Sequence, residues 1–153
     1  IMTRSTNDVD ALNEFFSDRR ATARRPDELL TVIGLEPLPP GSAECYLKLG
    51  RRGAMDVAIV GLAVRLSLAG DGAIKAARVA VCSVAATPRR VPEVEAALTG
   101  TRIEPDALAE AGRALAEAAS PIDDARGTAS YRRRVLPGLL ERAVMQCGEE
   151  IGR

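Results

Sequence analysis

The sequence predicts an α+β domain, in which an antiparallel sheet of three or four strands is covered on one face by about three helices. Strand-like runs of β-branched and aliphatic residues are confined to the first 84 positions, and helix-like stretches that begin with proline fill the remainder. The chain has 153 residues and 46% hydrophobic content, which is enough for one core and too little for two. We therefore expect one compact domain.

A β-hairpin between residues 57 and 84 forms the centre of the predicted sheet. Two apolar runs, 57–68 and 74–84, flank the turn sequence Ala69-Gly70-Asp71-Gly72. A four-residue loop there places three aliphatic pairs on the core face: Val64 with Ala77, Leu62 with Val79, and Val60 with Val81. The opposite face is charged near the turn and lined by small residues further away. Such a face either accepts a flat partner or packs under a loop, and residue types leave both open.

Two further strands are predicted upstream of the hairpin. Residues 28–38 are largely apolar and end in a stiff proline-rich connector, and residues 43–49 form a shorter candidate. Both phenylalanines of the chain lie before these strands, in an amphipathic piece from Val9 to Phe16. We expect that piece to dock on this domain or on a neighbour, because large aromatic side chains are seldom left bare.

Three helices are predicted downstream. Pro92 begins a short helix that Gly100 ends, and a second helix starts at Pro105 and stops before Pro121. The last helix extends from about Ser130 to Glu149, with apolar residues at helical spacing. Pro137 is expected to kink this helix or to displace its start.

The composition excludes several function classes. The chain has no histidine, which removes the usual nucleophilic triads and the commonest metal ligand. Twenty-one basic and twenty-one acidic residues give zero net charge, which argues against a broad nucleic-acid or membrane surface. Three widely spaced cysteines form no zinc motif, and no apolar run is long enough to cross a bilayer. Free thiols in the reducing cytoplasm are the expected state.

Few residues suggest chemistry of their own. Asp123 and Asp124 are adjacent carboxylates, which hold a divalent cation only with further ligands and are more typical of a loop beside a helix. Asp56 either fixes its loop by pairing with Arg51 or Arg52, or faces a ligand, and the structural role is favoured. Serine and threonine residues have no activating base in the sequence, so we expect no catalytic residue and no metal site.

Several strings, taken together in their order and spacing, resemble a known family. They include RPDELL at 25–30, YLKLGRR at 46–52, AMDVA at 54–58, TPRR at 87–90, EAALTG at 95–100, PIDDARG at 121–127 and YRRR at 131–134. Over residues 14–146 the chain resembles the FAD-binding (medium) flavoprotein subunit of the carbon monoxide dehydrogenase and xanthine dehydrogenase family, which are molybdenum hydroxylases. The similarity is to the C-terminal domain of that subunit and the segment leading into it.

This resemblance implies a part of a larger assembly. Residues 1–41 resemble the end of the FAD-binding domain, and residues 42–153 resemble the C-terminal domain that follows it. In the family this subunit passes electrons between FAD and iron–sulphur clusters, in a complex with a molybdopterin subunit. The resemblance places Lys48, Arg51 and Arg52 near FAD, but the glycine-rich pyrophosphate-binding stretches belong to the preceding domain. We therefore expect this chain alone to bind no FAD and to be inactive.

Two function hypotheses follow. In the first, the chain is the C-terminal domain or a split component of a molybdenum hydroxylase flavoprotein subunit and helps to close the FAD site for electron transfer. In the second, it is a stand-alone binding or assembly module, possible as a homodimer, that has lost the cofactor. An adjoining FAD-domain sequence upstream favours the first, and a genuine start at Met2 favours the second.

Overall fold

A computed structural model describes residues 12–52 and 55–152. The first described elements are short: α1 (Leu12–Phe15), β1 (Phe16–Asp18) and β2 (Ala21–Thr22), of which the two strands pair antiparallel. The rings of Phe15 and Phe16 are half-buried and pack edge to face, with centroids 5.3 Å apart. The amphipathic piece predicted from Val9 starts outside the described residues, and its docking stays a prediction.

The main sheet has four antiparallel strands that follow one another in chain order: β3 (Ser42–Leu49), β4 (Val60–Leu68), β5 (Ile74–Cys82) and β6 (Arg89–Arg90). Three helices come after the sheet in sequence: α2 (Pro92–Leu98), α3 (Pro105–Ala118) and α4 (Ala129–Ile151). The predicted α+β fold is thus confirmed, including the strand at 43–49 and all three helices.

The core lies between the sheet and the helices. Alternate residues of β4 and β5 are buried, and they face buried leucines of the three helices. The fully buried leucines are Leu62, Leu66, Leu98, Leu115, Leu136 and Leu140. Gly112 lets α3 approach α4 closely, because a Cβ there would lie 2.9 Å from the Cβ of Pro137. Pro137 is inside α4, so it does not displace the start of that helix.

The predicted hairpin exists, but its register is wrong by two residues. Val64 pairs with Val79 instead of Ala77, and Leu62 pairs with Val81 instead of Val79. The turn is tighter than expected, because the amide of Ala69 donates to the carbonyl of Ala73 at 2.8 Å. An irregularity between Ser67 and Leu68 then shifts the pairing once more. Each of these two changes shifts the pairing by one residue, and a total shift of two leaves every side chain on the face predicted for it. The predicted core side chains of β4 and β5 are therefore correct.

The strand predicted at residues 28–38 is also wrong for this chain. The described structure has no strand there, and the large apolar side chains of this stretch are exposed. Strand-like composition is insufficient because a strand needs a neighbouring edge to complete its hydrogen bonds. Among the described helices, none is both long and apolar enough to span a bilayer.

Candidate functional site

One end of the sheet gathers the loops that carry the candidate residues. The end of β3, the start of β4 and the end of β5 meet there, because neighbouring strands are antiparallel. The start of α4 and the preceding loop lie beside them, joined by contacts described below. We call this region the loop end, defined by residues 48–52, 55–59, 82–84 and 121–132.

Arg132, in the first turn of α4, holds the loop end together. The residue is only 2% exposed, and its Nη1 donates to the carbonyls of Ile59 at 2.8 Å and Ser83 at 2.7 Å. Its Nη2 donates to Oδ1 of Asp124 at 2.5 Å. A single guanidinium thus joins the start of β4, the turn after β5 and the loop before α4. Ser83 has a φ of +65°, a conformation that a non-glycine residue keeps only when its surroundings fix it.

Asp124 completes this network through its bond to Arg132. Hydrogen bonds from the side chain and the amide of Arg126, joined by those from Arg132, hold the pKa of the Asp124 carboxyl well below its usual range. Asp123 accepts from the amide of Ala129 at 2.5 Å and so satisfies a free donor at the start of α4. Across the described part of the chain, no group of three metal-ligating side chains occurs. The predicted role of this pair as a loop beside a helix agrees with these contacts.

The three cations placed near FAD by the resemblance lie close together in sequence, Lys48 at the end of β3 and Arg51 and Arg52 on the loop that follows it. Lys48 Nζ donates to the carbonyl of Asp56 at 3.2 Å, and the amide of Arg51 donates to Oδ2 of Asp56 at 2.8 Å. Hydrogen bonding from Arg51, aided by the charge of Arg52, lowers the pKa of Asp56. Asp56 therefore fixes the loop through the backbone of Arg51, as its favoured structural role requires.

Arg51 also connects this loop to the loop before α4. Its Nη1 lies 3.5 Å from the carbonyl of Ala125, at the limit of a hydrogen bond. Lys48, Arg51 and Arg52 are all exposed, so their charges remain available to a polar group outside the chain. This donor set suits one side of an anionic nucleotide cofactor such as FAD. The described loops add no glycine-rich cradle beside it, so the residues fit the edge of such a site and not a whole one.

The sheet face that points away from the helices forms a shallow groove of about 530 Å³ across the middle of β3, β4 and β5. Its floor consists of small residues, among them Ala63 and Ala80. Tyr46 and Cys82 lie over Gly61, where an added Cβ would come within 2.4 Å of the Cys82 sulphur and 2.7 Å of the Tyr46 hydroxyl. Glycine is thus required at position 61 by close packing on this face.

Two arginines on neighbouring strands lie opposite each other in this groove, and each lies close to a glutamate. Arg65 pairs directly with Arg78, and Glu44 accepts from Arg65 at 3.0 and 3.1 Å. Glu95 of α2 accepts from the Val79 amide and from Arg90, and it lies 3.8 Å from Arg78. Burial acts to raise the pKa of Glu95, but these hydrogen bonds and charges outweigh it and lower that pKa.

Sequence reasoning missed the buried roles of Arg132 and Glu95. Arg132 stands in a run of three arginines, a pattern typical of a solvated face, but in the structure it is buried and paired with Asp124. A signal was present, because Arg132 precedes Leu136 and Leu140 at four-residue spacing and so lies on the buried stripe of α4. Glu95 follows Val94 and precedes Leu98 in a short helix, but nothing in the sequence shows that a sheet edge lies beside it.

Comparison with known proteins gives consistent matches. The family model for the CO dehydrogenase flavoprotein C-terminal domain matches residues 44–147. The carbon monoxide dehydrogenase medium chain of Afipia carboxidovorans is 37% identical over 89% of this chain and 46% of its own length. The nicotine 6-hydroxylase medium subunit of Paenarthrobacter nicotinovorans is 30% identical over 89% of this chain and 47% of its own length. The chain thus spans about half the length of these curated relatives.

Solved structures of related proteins match this chain over similar shares of its length and of their own. A reconstituted CO dehydrogenase from Oligotropha carboxidovorans superposes with a TM-score of 0.83 at 32% identity, over 90% of this chain and 47% of that one. A carbon monoxide dehydrogenase from Hydrogenophaga pseudoflava, which lacks the Mo-pyranopterin moiety, gives 0.81 at 28% identity over the same shares. The matched fold and the matched sequence therefore each cover about half of these proteins.

Proposed function

Because the chain belongs to the family of CO dehydrogenase flavoprotein C-terminal domains, we propose that it acts as that domain, or as a split component, of a molybdenum hydroxylase flavoprotein subunit. The observation that carries the proposal is the family match over residues 44–147, which contains the whole main sheet and nearly all of α4. In this role, residues 42–153 form the C-terminal domain and residues 1–41 belong with the FAD-binding part. The chain alone is inactive.

Lys48, Arg51 and Arg52 face the cofactor in this proposal. FAD, when bound in the complete subunit, supplies the electron-transfer chemistry, and this chain closes one side of its site. The three cations support a polar or anionic edge of the ligand, because charge-assisted hydrogen bonds are the strong ones. Asp56 and Arg132 position the loop from beneath, since they bind its backbone and that of the adjoining turn.

The partners follow from the same role. The complete assembly adds a molybdopterin subunit and an iron–sulphur subunit and functions in the cytoplasm, without nucleic acid or membrane. The competing role, a stand-alone module that pairs with a second copy, is favoured by one observation, the exposed apolar stretch upstream of β3. The two roles differ in whether a flavin-binding half is needed.

A chimera tests the proposal. The N-terminal half of the Afipia medium chain is joined to the full chain described here, and flavin absorbance of the purified protein is measured. We expect stoichiometric flavin, weakened at least about tenfold by combined Lys48→Ala, Arg51→Ala and Arg52→Ala substitutions. Combined Lys75→Ala, Arg113→Ala and Arg142→Ala substitutions remove three exposed cations elsewhere and serve as the matched control.

The outcomes separate the two parts of the proposal. A folded but colourless chimera contradicts the domain role. Equal flavin affinity in the two triple variants leaves the domain role intact and contradicts the assignment of the loop cations.

A further inference from the structure

The strand β3 forms one edge of the main sheet, and its outer side has no partner strand in the described residues. It pairs with β4 over its whole length without an irregularity, and none of the other strand pairs described includes it. Outside the sheet ladder, its one backbone hydrogen bond in the described residues runs from the amide of Ile59 to the carbonyl of Leu49. Because alternate amides and carbonyls of an edge strand point away from the sheet, β3 presents a regular row of donors and acceptors to a further strand.

The features that usually protect an exposed edge are missing from β3. The strand contains no proline and no bulge. Its side chains that face the helices are all apolar: Ala43, Cys45, Leu47 and Leu49. An inward-pointing charge, which would block the addition of a strand, is therefore absent from this strand.

The side chains on the other face of β3 are complementary to themselves. Glu44, Tyr46 and Lys48 alternate along this face, and all three are exposed. If a second copy of β3 pairs antiparallel with Tyr46 opposite Tyr46, Glu44 of each copy lies opposite Lys48 of the other copy. Opposite charges at directly opposed positions stabilise an antiparallel pair, and a shift of two residues in either direction would lose both charge pairs. Arg65 of β4 already holds the Glu44 carboxylate on this face, at 3.0 and 3.1 Å.

The helix side of the same edge has room for a second copy. A groove of about 660 Å³ lies between β3 and α4, and it is lined by Leu47 and by the side of α4 around Gly138 and Met145. Met145 is 44% exposed, and no atom outside the helix lies within 4 Å of the place where a Cβ on Gly138 would be. This side of α4 is therefore open to a close approach.

The position of α4 matches the spacing that such a pair requires. The helix packs against both β3 and β4, so its axis lies about one strand spacing, roughly 4.8 Å, from a two-fold axis placed just outside β3. Two copies related by that axis would have their α4 helices about 10 Å apart, which is the distance between packed helices. Strand pairing and helix packing are therefore compatible in one arrangement.

We infer that two copies of this chain pair edge to edge through β3, antiparallel about a two-fold axis at Tyr46. The two four-stranded sheets become one continuous sheet, in which main-chain hydrogen bonds join the two β3 strands. Leu47 and Met145 of both copies are covered. The inference goes beyond the proposed function and does not depend on it, because it concerns the chain without the flavin-binding half.

Cysteine cross-linking of the full chain tests the register of the pair. Every variant carries Cys82→Ala, which removes the half-exposed thiol and leaves two buried ones. Tyr46→Cys should form a disulfide-linked dimer under oxidised glutathione, because this position lies opposite itself at a distance that a disulfide spans. Glu44→Cys alone should stay unlinked, since its two copies are four residues, about 14 Å, apart along the strands. A mixture of Glu44→Cys and Lys48→Cys should link, and mass spectrometry identifies each product.

Sedimentation velocity of the chain without cysteine substitutions measures the association itself. We expect a reversible dimer whose dissociation constant rises at least about tenfold in Met145→Asp, because that change places two unpaired charges in the covered groove. Ile122→Asp is the matched control. Ile122 is 45% exposed and lies in the loop before α4, away from β3, so its substitution should leave the association unchanged.

Three results would overturn the inference. The first is a chain that stays monomeric at all concentrations. The second is a dimer that Met145→Asp leaves unchanged and that Tyr46→Cys does not link, which would place the contact elsewhere, such as on the exposed residues 28–38. The third is equal linking of Glu44→Cys alone and Tyr46→Cys, since the inference requires the register centred on Tyr46. Flavin binding by the chimera does not depend on any of these results, so the proposed function is tested separately.

Discussion

Replacing Arg132 with methionine should lower the free energy of unfolding by about 3 kcal/mol. The substitution keeps the stem that packs in the core and removes the guanidinium. The carbonyls of Ile59 and Ser83 then lose their donor, and a buried acceptor left unpaired costs about 1–3 kcal/mol. Asp124 keeps Arg126 as a partner, which limits its share of the loss. The desolvation penalty of the buried guanidinium is also removed, which offsets part of the loss of stability.

Urea unfolding followed by far-UV circular dichroism measures this effect, and Arg142→Met provides the control. Arg142 is exposed on the same helix, so its substitution should change stability by less than about 0.5 kcal/mol. For a chain of this size, the expected loss corresponds to a melting temperature lower by roughly 6–12 °C. Equal midpoints for the Arg132 and Arg142 variants would refute the claim that Arg132 holds the loop end together.

Three further predictions concern the sheet. Gly61→Ala should destabilise the fold by about 1–3 kcal/mol through overpacking against Cys82 and Tyr46, whereas Gly70→Ala, in open space, should be close to neutral in the same urea assay. The pKa of Glu95 is lowered in the folded state, so this carboxylate stabilises the fold above its ordinary pKa of 4.5, and that stabilisation is lost as the pH falls below it. The free energies of unfolding of Glu95→Gln and the unsubstituted chain should therefore differ at pH 7 and converge in acid. A difference that stays constant with pH would contradict this prediction. In a Cys82→Ala background, Ala63→Cys with Ala80→Cys should form a disulfide, whereas Ala63→Cys with Arg78→Cys should not, because only the first pair is directly opposite. Mass spectrometry after oxidation detects the disulfide, and a disulfide in the 63/78 variant but not in the 63/80 variant would contradict the observed register.

Local signals in the sequence predicted most elements of the fold. Prolines at the first turns of α2 and α3 and the glycine after α2 mark helix ends through backbone chemistry that acts at short range. The core faces of β4 and β5 follow from their alternating pattern, which fixes a face once a strand is assumed. These features depend on neighbours in sequence, and for that reason they can be read without the structure.

The register of the hairpin and the absence of a strand at residues 28–38 could not be predicted in the same way. The turn carries Gly72 at a φ of +82°, and Asp71 accepts from the Ala73 amide. The loop is therefore closed by Ala69 and Ala73, whereas a four-residue loop would be closed by Leu68 and Ala73. Both the closure and the irregularity beyond it depend on contacts across the hairpin. Residues 28–38 have the composition of a strand, but a strand forms only beside a partner edge, and within the described residues this stretch pairs with none.

The candidate site shows the same division between local and distant information. Lys48, Arg51 and Arg52 attracted notice as a basic loop beside a strand, and the resemblance gave them a proposed role. Asp56 fixes that loop locally, but the neighbouring start of β4 is held by Arg132, which lies more than seventy positions after the Ile59 carbonyl that it binds. The loop cations are exposed, while the groups beneath them, Asp56 and Arg132, are hydrogen-bonded within the chain. Substituting the exposed cations should therefore alter ligand binding with little effect on stability. Substituting Arg132 should instead lower stability first. A loss of flavin in an Arg132 variant would thus not by itself identify a residue that contacts the cofactor.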